Sequence, residues 1–125
     1  MAKSASHLES GAAAEAFAAR ALERQGHRIL LRNARTPQGE IDLLTLARGT
    51  YHVVEVKARR RGSSAGTALE ALSPGKLARV ARAGRSLLAR RRLAGSPCVL
   101  LGAAVTLDER GRPSSVEFHN VEEIQ

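Results

Sequence analysis

Two strand-like runs separated by a tight turn constrain the fold of this chain more than any other feature. Glu40–Ala47 and Tyr51–Ala58 are rich in Ile, Leu and Val, and Arg48-Gly49-Thr50 joins them, with Arg48-Gly49 as the expected two-residue loop. A glycine-containing loop of two residues is typical of a β-hairpin. Because such a loop fixes the register, it also predicts which side chains of the two strands face one another.

One face of the predicted hairpin is wholly apolar. The two-residue loop places Ile41 opposite Val56 and Leu43 opposite Val54, and cross-strand neighbours on one face pack together. We therefore expect this face to lie against the protein core.

The other face carries two carboxylates that oppose one another. It pairs Glu40 with Lys57 and Asp42 with Glu55, and like charges in directly opposed positions destabilise a hairpin. A divalent cation between Asp42 and Glu55 removes this repulsion, because Mg²⁺ and Mn²⁺ bind carboxylate oxygens. The alternative is a solvent-exposed face, where Glu40 and Lys57 form a surface salt bridge and the charges prevent edge aggregation.

Lys57 adds a cation beside the predicted metal site. It lies two residues after Glu55, so both side chains project from the same face of the strand. A lysine at this position can orient or deprotonate a water molecule, or stabilise negative charge on an attacked phosphate. Two carboxylates, a metal ion and a lysine are the groups needed to hydrolyse a phosphodiester bond with an activated water.

The rest of the chain alternates between helical and strand patterns, which predicts one α/β domain over residues 11–125 after a flexible N-terminus at residues 1–10. The order is α-β-β-β-α-β-β, one central mixed sheet flanked by helices. Ser73 is expected to cap the second helix. Besides the hairpin, the predicted elements are helices at Gly11–Gln25 and Pro74–Leu93, strands at Arg28–Arg32, Cys98–Leu107 and Ser115–Val121, a polar loop at Asn33–Gly39 and a basic loop at Arg59–Gly66.

The chain is strongly basic, with 20 Lys and Arg residues against 12 Asp and Glu residues and a net charge of +8. A charge of this size in a small domain attracts polyanions; an Arg-rich proteome is the alternative explanation. Only two Phe, one Tyr and no Trp are present. This composition excludes extensive stacking on exposed bases and weakens an RRM-like function.

The positive charge concentrates on the second predicted helix. Apolar residues recur at helical spacing on one face, and no Asp or Glu occurs between Pro74 and Leu93. The outward cations are expected to contact phosphates through charge, with little discrimination between bases. A merely solvated face is the alternative, although such faces usually mix acids with bases. The predicted nucleic-acid contacts are Arg59, Arg60, Arg61, Lys76 and Arg79.

Cysteine and histidine give no sign of a further centre. Cys98 is the single cysteine and lies in an apolar run, so we expect a buried strand thiol. The four histidines are scattered without metal-ligand spacing, and His52 near the hairpin turn is expected at the surface. The N-terminal residues lack an apolar stretch and no run reaches the ~20 apolar residues of a membrane span, which leaves the cytoplasm as the expected location.

Two motifs of the hairpin resemble those of a known family. Gly39-Glu40-Ile41-Asp42-Leu43, followed by Val53-Val54-Glu55-Val56-Lys57-Ala58-Arg59, is similar to the signature of the YraN-type bacterial proteins, a largely uncharacterised family. That family resembles the PD-(D/E)XK restriction-endonuclease-like superfamily, especially the archaeal Holliday junction resolvases. The resemblance implies a restriction-endonuclease-like fold over nearly the whole chain. It extends to Gly11, Glu15, Asn33, Arg35 and Lys76.

The resemblance also implies roles for individual residues. Asp42 matches the metal-binding aspartate of the superfamily, and Glu55 and Lys57 match its Glu-x-Lys pair. Glu15 matches the acidic residue that the first helix brings to the site in resolvase-like members, although Ala14 here replaces a glycine that often precedes it. The implied catalytic residues are Asp42, Glu55, Lys57 and Glu15; the metal ligands for Mg²⁺ or Mn²⁺ are Asp42, Glu55 and the carbonyl of Val56; and Arg35 joins the nucleic-acid contacts.

These features favour a metal-dependent endonuclease that hydrolyses phosphodiester bonds in DNA, with branched or junction DNA as a candidate substrate. DNA is the expected partner and RNA the alternative, and a homodimer is compatible with cutting two strands. Two other functions stay open: a non-catalytic nucleic-acid-binding module on the same fold, and a basic protein that binds an acidic protein partner. The pair Asp42 and Glu55 distinguishes them, because neither alternative needs it.

Overall fold

The predicted order of elements is confirmed in a computed structural model, which describes residues 2–64 and 66–124, with side chains for residues 11–64 and 66–120. Two helices and five strands follow one another as α-β-β-β-α-β-β. They are α1 (Ala2–Arg24), β1 (Arg28–Thr36), β2 (Gly39–Ala47), β3 (Thr50–Arg60), α2 (Pro74–Arg90), β4 (Cys98–Leu107) and β5 (Pro113–Ile124).

The five strands form one mixed sheet in the order β1-β2-β3-β4-β5. Neighbouring strands are antiparallel except for β3 and β4, which run parallel. A parallel pair needs a long crossover connection, and α2 supplies it. The last strand, β5, lies at one edge of the sheet. A mixed sheet with a helix on each face is consistent with a restriction-endonuclease-like fold.

Each face of the sheet is covered by one helix, so the domain has two apolar cores. The α1-side core joins Ala14, Ala18 and Leu22 to Leu43 and Val54. In the α2-side core, the buried stripe of α2 packs on residues that include Leu44, Val53 and Leu100. Strands buried on both faces carry near-continuous apolar runs, which is why the sequence of β4 is almost entirely apolar. Cys98 is a buried strand thiol, as predicted, and burial raises its pKa to about 11.

The register of the predicted hairpin is confirmed over most of its length. Pairing between β2 and β3 runs from Ala47 opposite Thr50 to Leu43 opposite Val54. Arg48 and Gly49 have φ angles of 50° and 77°, the left-handed values that a two-residue type I′ turn requires.

One detail of the predicted apolar face is wrong. Leu43 and Val54 lie in the α1-side core with Val56, but Ile41 lies in the α2-side core. Pairing between β2 and β3 ends at Leu43, so the regular alternation of faces need not continue beyond it. β2 therefore changes the side on which it packs at Asp42.

The polar loop predicted at Asn33–Gly39 is mostly strand. β1 continues to Thr36, which pairs with Gly39 across a turn at Pro37 and Gln38. Asn33 has a φ of 51° within this strand, and asparagine adopts that region more readily than most residues. Its unusual backbone allows the strand to continue where the sequence suggested a loop.

The basic loop predicted at Arg59–Gly66 is also shorter than expected. Arg59 and Arg60 belong to β3, because pairing with β4 continues to Arg60 opposite Leu107. Further along, Thr67 and Glu70 exchange hydrogen bonds: the Thr67 N–H donates to Glu70 Oε1 at 2.8 Å, and the Glu70 N–H donates to Thr67 Oγ1 at 3.1 Å. This reciprocal pair has the form of a capping box and gives the connection to α2 a fixed turn.

The helix ends differ from the predicted ones. Helix α1 begins at Ala2 rather than Gly11, since Ala2–Ser10 contains no proline or glycine to stop it; the flexibility expected of residues 1–10 stays a prediction, and their side chains lie outside the described part. Ser73 is extended but makes no side-chain capping bond to α2. In the described part of the chain, neither helix is long and apolar enough to cross a membrane.

Candidate functional site

Asp42 lies where β2 and β3 stop pairing. Its Oδ2 accepts a hydrogen bond of 2.7 Å from the Val56 N–H, so a carboxylate binds this amide at the point where the strands separate. Burial and, more weakly, Glu40 raise the pKa of Asp42, while the Val56 N–H and Lys57 lower it; the net direction is upward. The hydrogen bond fixes the carboxylate beside β3.

Glu55 and Lys57 project from the same face of β3, as predicted. Lys57 Nζ lies 3.5 Å from Glu55 Oε1, and the Glu55 side chain is 12% exposed. Burial raises the pKa of Glu55 to about 7, and the negative charge of Asp42 adds to this effect. Lys57 and Lys76 act in the opposite direction without reversing it. The two lysines therefore do not fully stabilise the negative charge of the buried Glu55 carboxylate.

Helix α1 brings Glu15 to the same end of the hairpin. With its amide nitrogen turned toward the acids, Asn33 donates to Glu15 Oε1 at 3.0 Å and to Glu40 Oε1 at 3.2 Å. Burial, followed by the charges of Asp42 and Glu40, raises the pKa of Glu15. The side chain of Asn33 thus links α1 with β2.

We call this part of the molecule the open end of the hairpin, defined by Glu40–Asp42 and Glu55–Lys57. It holds an excess of carboxylates, and each of Asp42, Glu55 and Glu15 has a raised pKa. Among the residues whose side chains are described, no three Asp, Glu, His or Cys groups lie so as to hold a metal ion by themselves. A cation here needs main-chain oxygen or water ligands besides two carboxylates.

A cleft of about 240 Å³ opens between the hairpin and α2. Glu55 and Lys57 form one wall and Lys76 and Arg79 the other, while Asp42 is not part of the lining. Gln38, in the turn between β1 and β2, also borders the cleft. No pattern in the sequence pointed to Gln38, because its position depends on the extension of β1 to Thr36.

The other predicted nucleic-acid contacts lie in different places. Arg35 is exposed on β1, opposite Glu40. Arg59 and Arg61 border a second cavity at the far end of β3. Arg60 also borders it, but its Nη1 donates to the Glu109 carbonyl at 3.2 Å. Arg59, Arg60 and Arg61 therefore share one cavity, which is separate from the cleft that Lys76 and Arg79 border.

A second polar cluster lies at the opposite end of the hairpin, which we call the closed end and define by Thr45–His52. His27 Nδ1 and Thr45 Oγ1 share a buried hydrogen bond of 2.8 Å, and the rings of His27 and His52 meet edge to face with centroids 4.5 Å apart. The expectation of scattered histidines is wrong for this pair. The register, which sets Thr45 opposite His52, was the available sign of a polar pair.

The charge state of the closed end differs from that of the open end. Burial lowers the pKa of His27 to about 4, helped by His52 and Arg48. Burial also lowers the pKa of His52. Arg48 Nη1 donates to the Gln25 carbonyl at 3.2 Å. The histidines of this cluster are accordingly neutral near pH 7.

Comparison with known proteins identifies the family. Residues 14–106 match the model of the uncharacterised protein family UPF0102. A UPF0102 protein of Thermus thermophilus is 48% identical over 77 residues, which cover 62% of this chain and 68% of that protein. For a relative from Kineococcus radiotolerans the identity is 44% over 104 residues, covering 82% and 84% of the two chains. For one from Deinococcus radiodurans it is 43% over 83 residues, covering 66% and 68%. The YraN-type family predicted from the hairpin motifs is confirmed: this chain belongs to the uncharacterised protein family UPF0102.

Proposed function

We propose that this protein is a cytoplasmic, metal-dependent endonuclease that hydrolyses phosphodiester bonds in DNA. The observation that carries the proposal is the meeting of Asp42 and Glu55 at the open end, with Lys57 Nζ 3.5 Å from Glu55. Two carboxylates that are partly buried together weaken a fold unless a cation compensates them. Because this pair of carboxylates lowers the stability of the fold, its presence is more readily explained by a catalytic role than by a structural one.

The donor set at the open end fits a hard divalent cation. Asp42 and Glu55 would supply carboxylate oxygens, the carbonyl of Val56 is the third proposed ligand, and water would complete the shell. Mg²⁺ or Mn²⁺ at this position would stabilise charge on the phosphate and lower the pKa of a water molecule. Glu15 is the additional acidic group, held toward the site by Asn33.

The protein's own residues have distinct roles in this proposal. The hydrogen bond from the Val56 N–H orients the Asp42 carboxylate. Lys57 lies on the wall of the cleft, where its ammonium group can stabilise negative charge on the attacked phosphate or guide a proton from the water. Lys76 and Arg79 on the opposite wall neutralise and hold the substrate backbone.

The distribution of charge supports a nucleic acid as the substrate. No Asp or Glu occurs between Glu70 and Asp108, a segment that contains the whole of α2. The exposed surface of α2 includes Arg82, Arg85 and Arg90 beyond the cleft. Such an array contacts phosphates without selecting bases. We propose DNA, including branched DNA, with RNA as the competing substrate and a homodimer as the form that cuts two strands.

Cleavage of labelled DNA tests this function. Four-way-junction, flap, single-stranded and linear duplex substrates are incubated with Mg²⁺, Mn²⁺ or EDTA, using the wild type and the Asp42→Asn variant. Asparagine preserves the size of the side chain and an oxygen that can accept the Val56 hydrogen bond. Glu23→Gln, an exposed change on α1, is the matched control. We expect metal-dependent cutting that is lost in Asp42→Asn and kept in Glu23→Gln; equal cutting by all three proteins would contradict the mechanism.

A non-catalytic nucleic-acid-binding module is the second candidate. It is favoured by one observation: the described side chains include no ready set of three metal-binding groups. This function predicts tight binding that weakens steeply with salt, without cleavage of any of the four substrates. Substituting Asp42 would then leave the affinity for DNA unchanged or raise it.

A further inference from the structure

Three polar side chains form a row across the sheet at the far end of β3. Arg59 is in register with Thr106 of β4, and Thr106 is in register with Ser115 of β5. Residues in register on neighbouring strands project from the same face. On that face of β3, Arg59 also follows Glu55 and Lys57 at intervals of two residues. The row therefore lies on the same side of the sheet as the proposed catalytic site.

The row borders a cavity of about 410 Å³ that is rich in hydrogen-bond donors. The described lining also includes Arg61, Gly62, Ser63, Gly66 and Thr67. Arg59 Nη1 donates to the Ala58 carbonyl at 2.8 Å, but Arg59 Nε is buried and has no partner among the described atoms. A buried guanidinium N–H without an acceptor is costly. The Arg59 guanidinium is therefore not fully satisfied by the described part of the chain.

The charge of the cavity favours an anion. Arg59 and Arg61 are opposed by one acid, Glu70, whose Oε1 accepts the Thr67 N–H. A guanidinium beside two hydroxyl groups is a common set of donors to phosphate oxygens. The cavity lining contains no aromatic ring, so it offers nothing on which a base could stack.

The cavity and the cleft lie along the same face of β3. Arg59 lies four residues after Glu55 in β3, which corresponds to about 13 Å along the strand. Lys57 lies between them on the same face. A nucleic-acid strand that follows β3 from the cleft therefore reaches this row a short distance beyond the bond to be cut.

We propose that Arg59, Thr106 and Ser115 form a second phosphate-binding subsite, which holds a backbone phosphate of the strand that is cut, on one side of the scissile bond. This inference rests on the proposed endonuclease function, and it adds a requirement: the substrate must extend past the scissile phosphate on that side. A strand that ends at the cleft lacks the contact and binds more weakly.

A scan with neutral phosphates tests the subsite. Single methylphosphonates, which remove one backbone charge, are introduced at successive positions of a DNA substrate. Binding is measured in EDTA for the wild type, Arg59→Gln, Thr106→Val, Ser115→Ala and the control Arg24→Gln, which removes an exposed charge from α1. Thermal unfolding verifies that each variant is folded, and the two hydroxyl variants keep the test valid if Arg59→Gln is unstable.

We expect one methylphosphonate position away from the scissile bond to weaken wild-type binding roughly 10-fold, as for the loss of a charged hydrogen bond. At that position alone, Arg59→Gln should be insensitive, while Arg24→Gln should resemble the wild type. The same pattern of interference in the wild type and in all three subsite variants would overturn the subsite while leaving the endonuclease intact. Absence of DNA binding by the wild type would instead overturn the proposed function.

A free phosphate group has the same chemistry as a backbone phosphate, so a second arm distinguishes them. Inorganic phosphate is titrated into the wild type and Arg59→Gln without DNA. We expect weak, millimolar binding of inorganic phosphate that requires Arg59 and is far weaker than binding of the polymer. Tight binding of inorganic phosphate, without any methylphosphonate position that depends on Arg59, would contradict a subsite for a strand.

Discussion

The two ends of the β2–β3 hairpin hold buried polar groups in opposite ways. At the closed end, where the strands pair fully, His27 shares a hydrogen bond with Thr45 and is neutral at pH 7. At the open end the pairing has stopped; burial raises the pKa of both Asp42 and Glu55, and the charge of Asp42 raises that of Glu55 further. The same two strands thus carry one cluster whose histidines are neutral at pH 7 and one in which carboxylates lie close together. The carboxylate end is where an external cation has a reason to bind.

The largest expected effect is on cleavage. Changing Asp42 to Asn removes one charge from the open end and keeps the shape of the side chain. We expect the rate of DNA cleavage to fall by at least roughly 10²-fold, as when one preorganised electrostatic group is removed from an active site. The measurement is single-turnover cleavage with saturating Mg²⁺ or Mn²⁺. The closed-end change Thr45→Val serves as the comparison, and an equal loss of rate in both variants would remove the distinction between the two ends.

The walls of the cleft should differ in their kinetic effects. We expect Lys57→Met to lower kcat about 10²-fold with a smaller change in KM, because a group that acts on the reacting phosphate affects the chemical step. Arg79→Gln should mainly raise KM, since it removes a contact to the backbone. Steady-state kinetics on one substrate measures both. A change in KM alone for Lys57→Met would assign that residue to binding.

The buried carboxylates of the open end should lower the free energy of unfolding at neutral pH. The pKa of Glu55 is raised from 4.5 to about 7, so between these values the folded state binds more protons than the unfolded state. Stability is therefore lost as the pH rises through this window. In EDTA at pH 8, we expect Glu55→Gln to be more stable than the wild type by on the order of 2 kcal/mol, and the difference should vanish near pH 4.5.

Urea unfolding at several pH values measures this difference, with Glu23→Gln as the control for loss of an exposed carboxylate. Stabilisation of both variants to the same extent would show that the overall charge matters rather than the site. A destabilised Glu55→Gln at pH 8 would mean that the carboxylate is satisfied within the chain.

The closed end should have the opposite dependence on pH. The pKa of His27 is lowered from 6.5 to about 4, so the unfolded state takes up a proton first as the pH falls. Stability is lost from pH 6.5 down to about pH 4. We expect His27→Gln to reduce this loss by on the order of 1 kcal/mol after allowance for solvent screening. An unchanged slope of stability against pH would show that His27 is not the titrating group.

The sequence predicted the paired part of the hairpin because a two-residue turn leaves one register. Leu43 and Val54 therefore appear where expected, and alternation alone placed Glu55 and Lys57 on one face. The features that the sequence could not predict lie where the regular pairing of β2 and β3 stops. The bond from the Val56 N–H to Asp42 and the shift of Ile41 into the other core arise where the strands separate, and no local pattern marks that point.

Contacts between distant segments were the other limit. Asn33 was placed in a loop because its residue type is common there, yet it lies inside β1 with a left-handed backbone. Its side chain links α1 to β2. His27 and His52 looked unrelated in the sequence. They come together only because the segment that follows α1 packs on the hairpin. The family motifs identified the residues of the site, but they did not describe how α1 reaches it.

Binding of Mn²⁺ tests most directly whether the open end is a metal site. The concentration of free Mn²⁺ is measured by electron paramagnetic resonance during titration without DNA. The proteins titrated are the wild type, Asp42→Asn, Glu55→Gln and the control Glu23→Gln. We expect the wild type and the control to bind Mn²⁺ saturably. Binding of Mn²⁺ should be strongly weakened in both open-end variants. Equal binding of Mn²⁺ by all four proteins, or by none, would contradict a metal site at the open end.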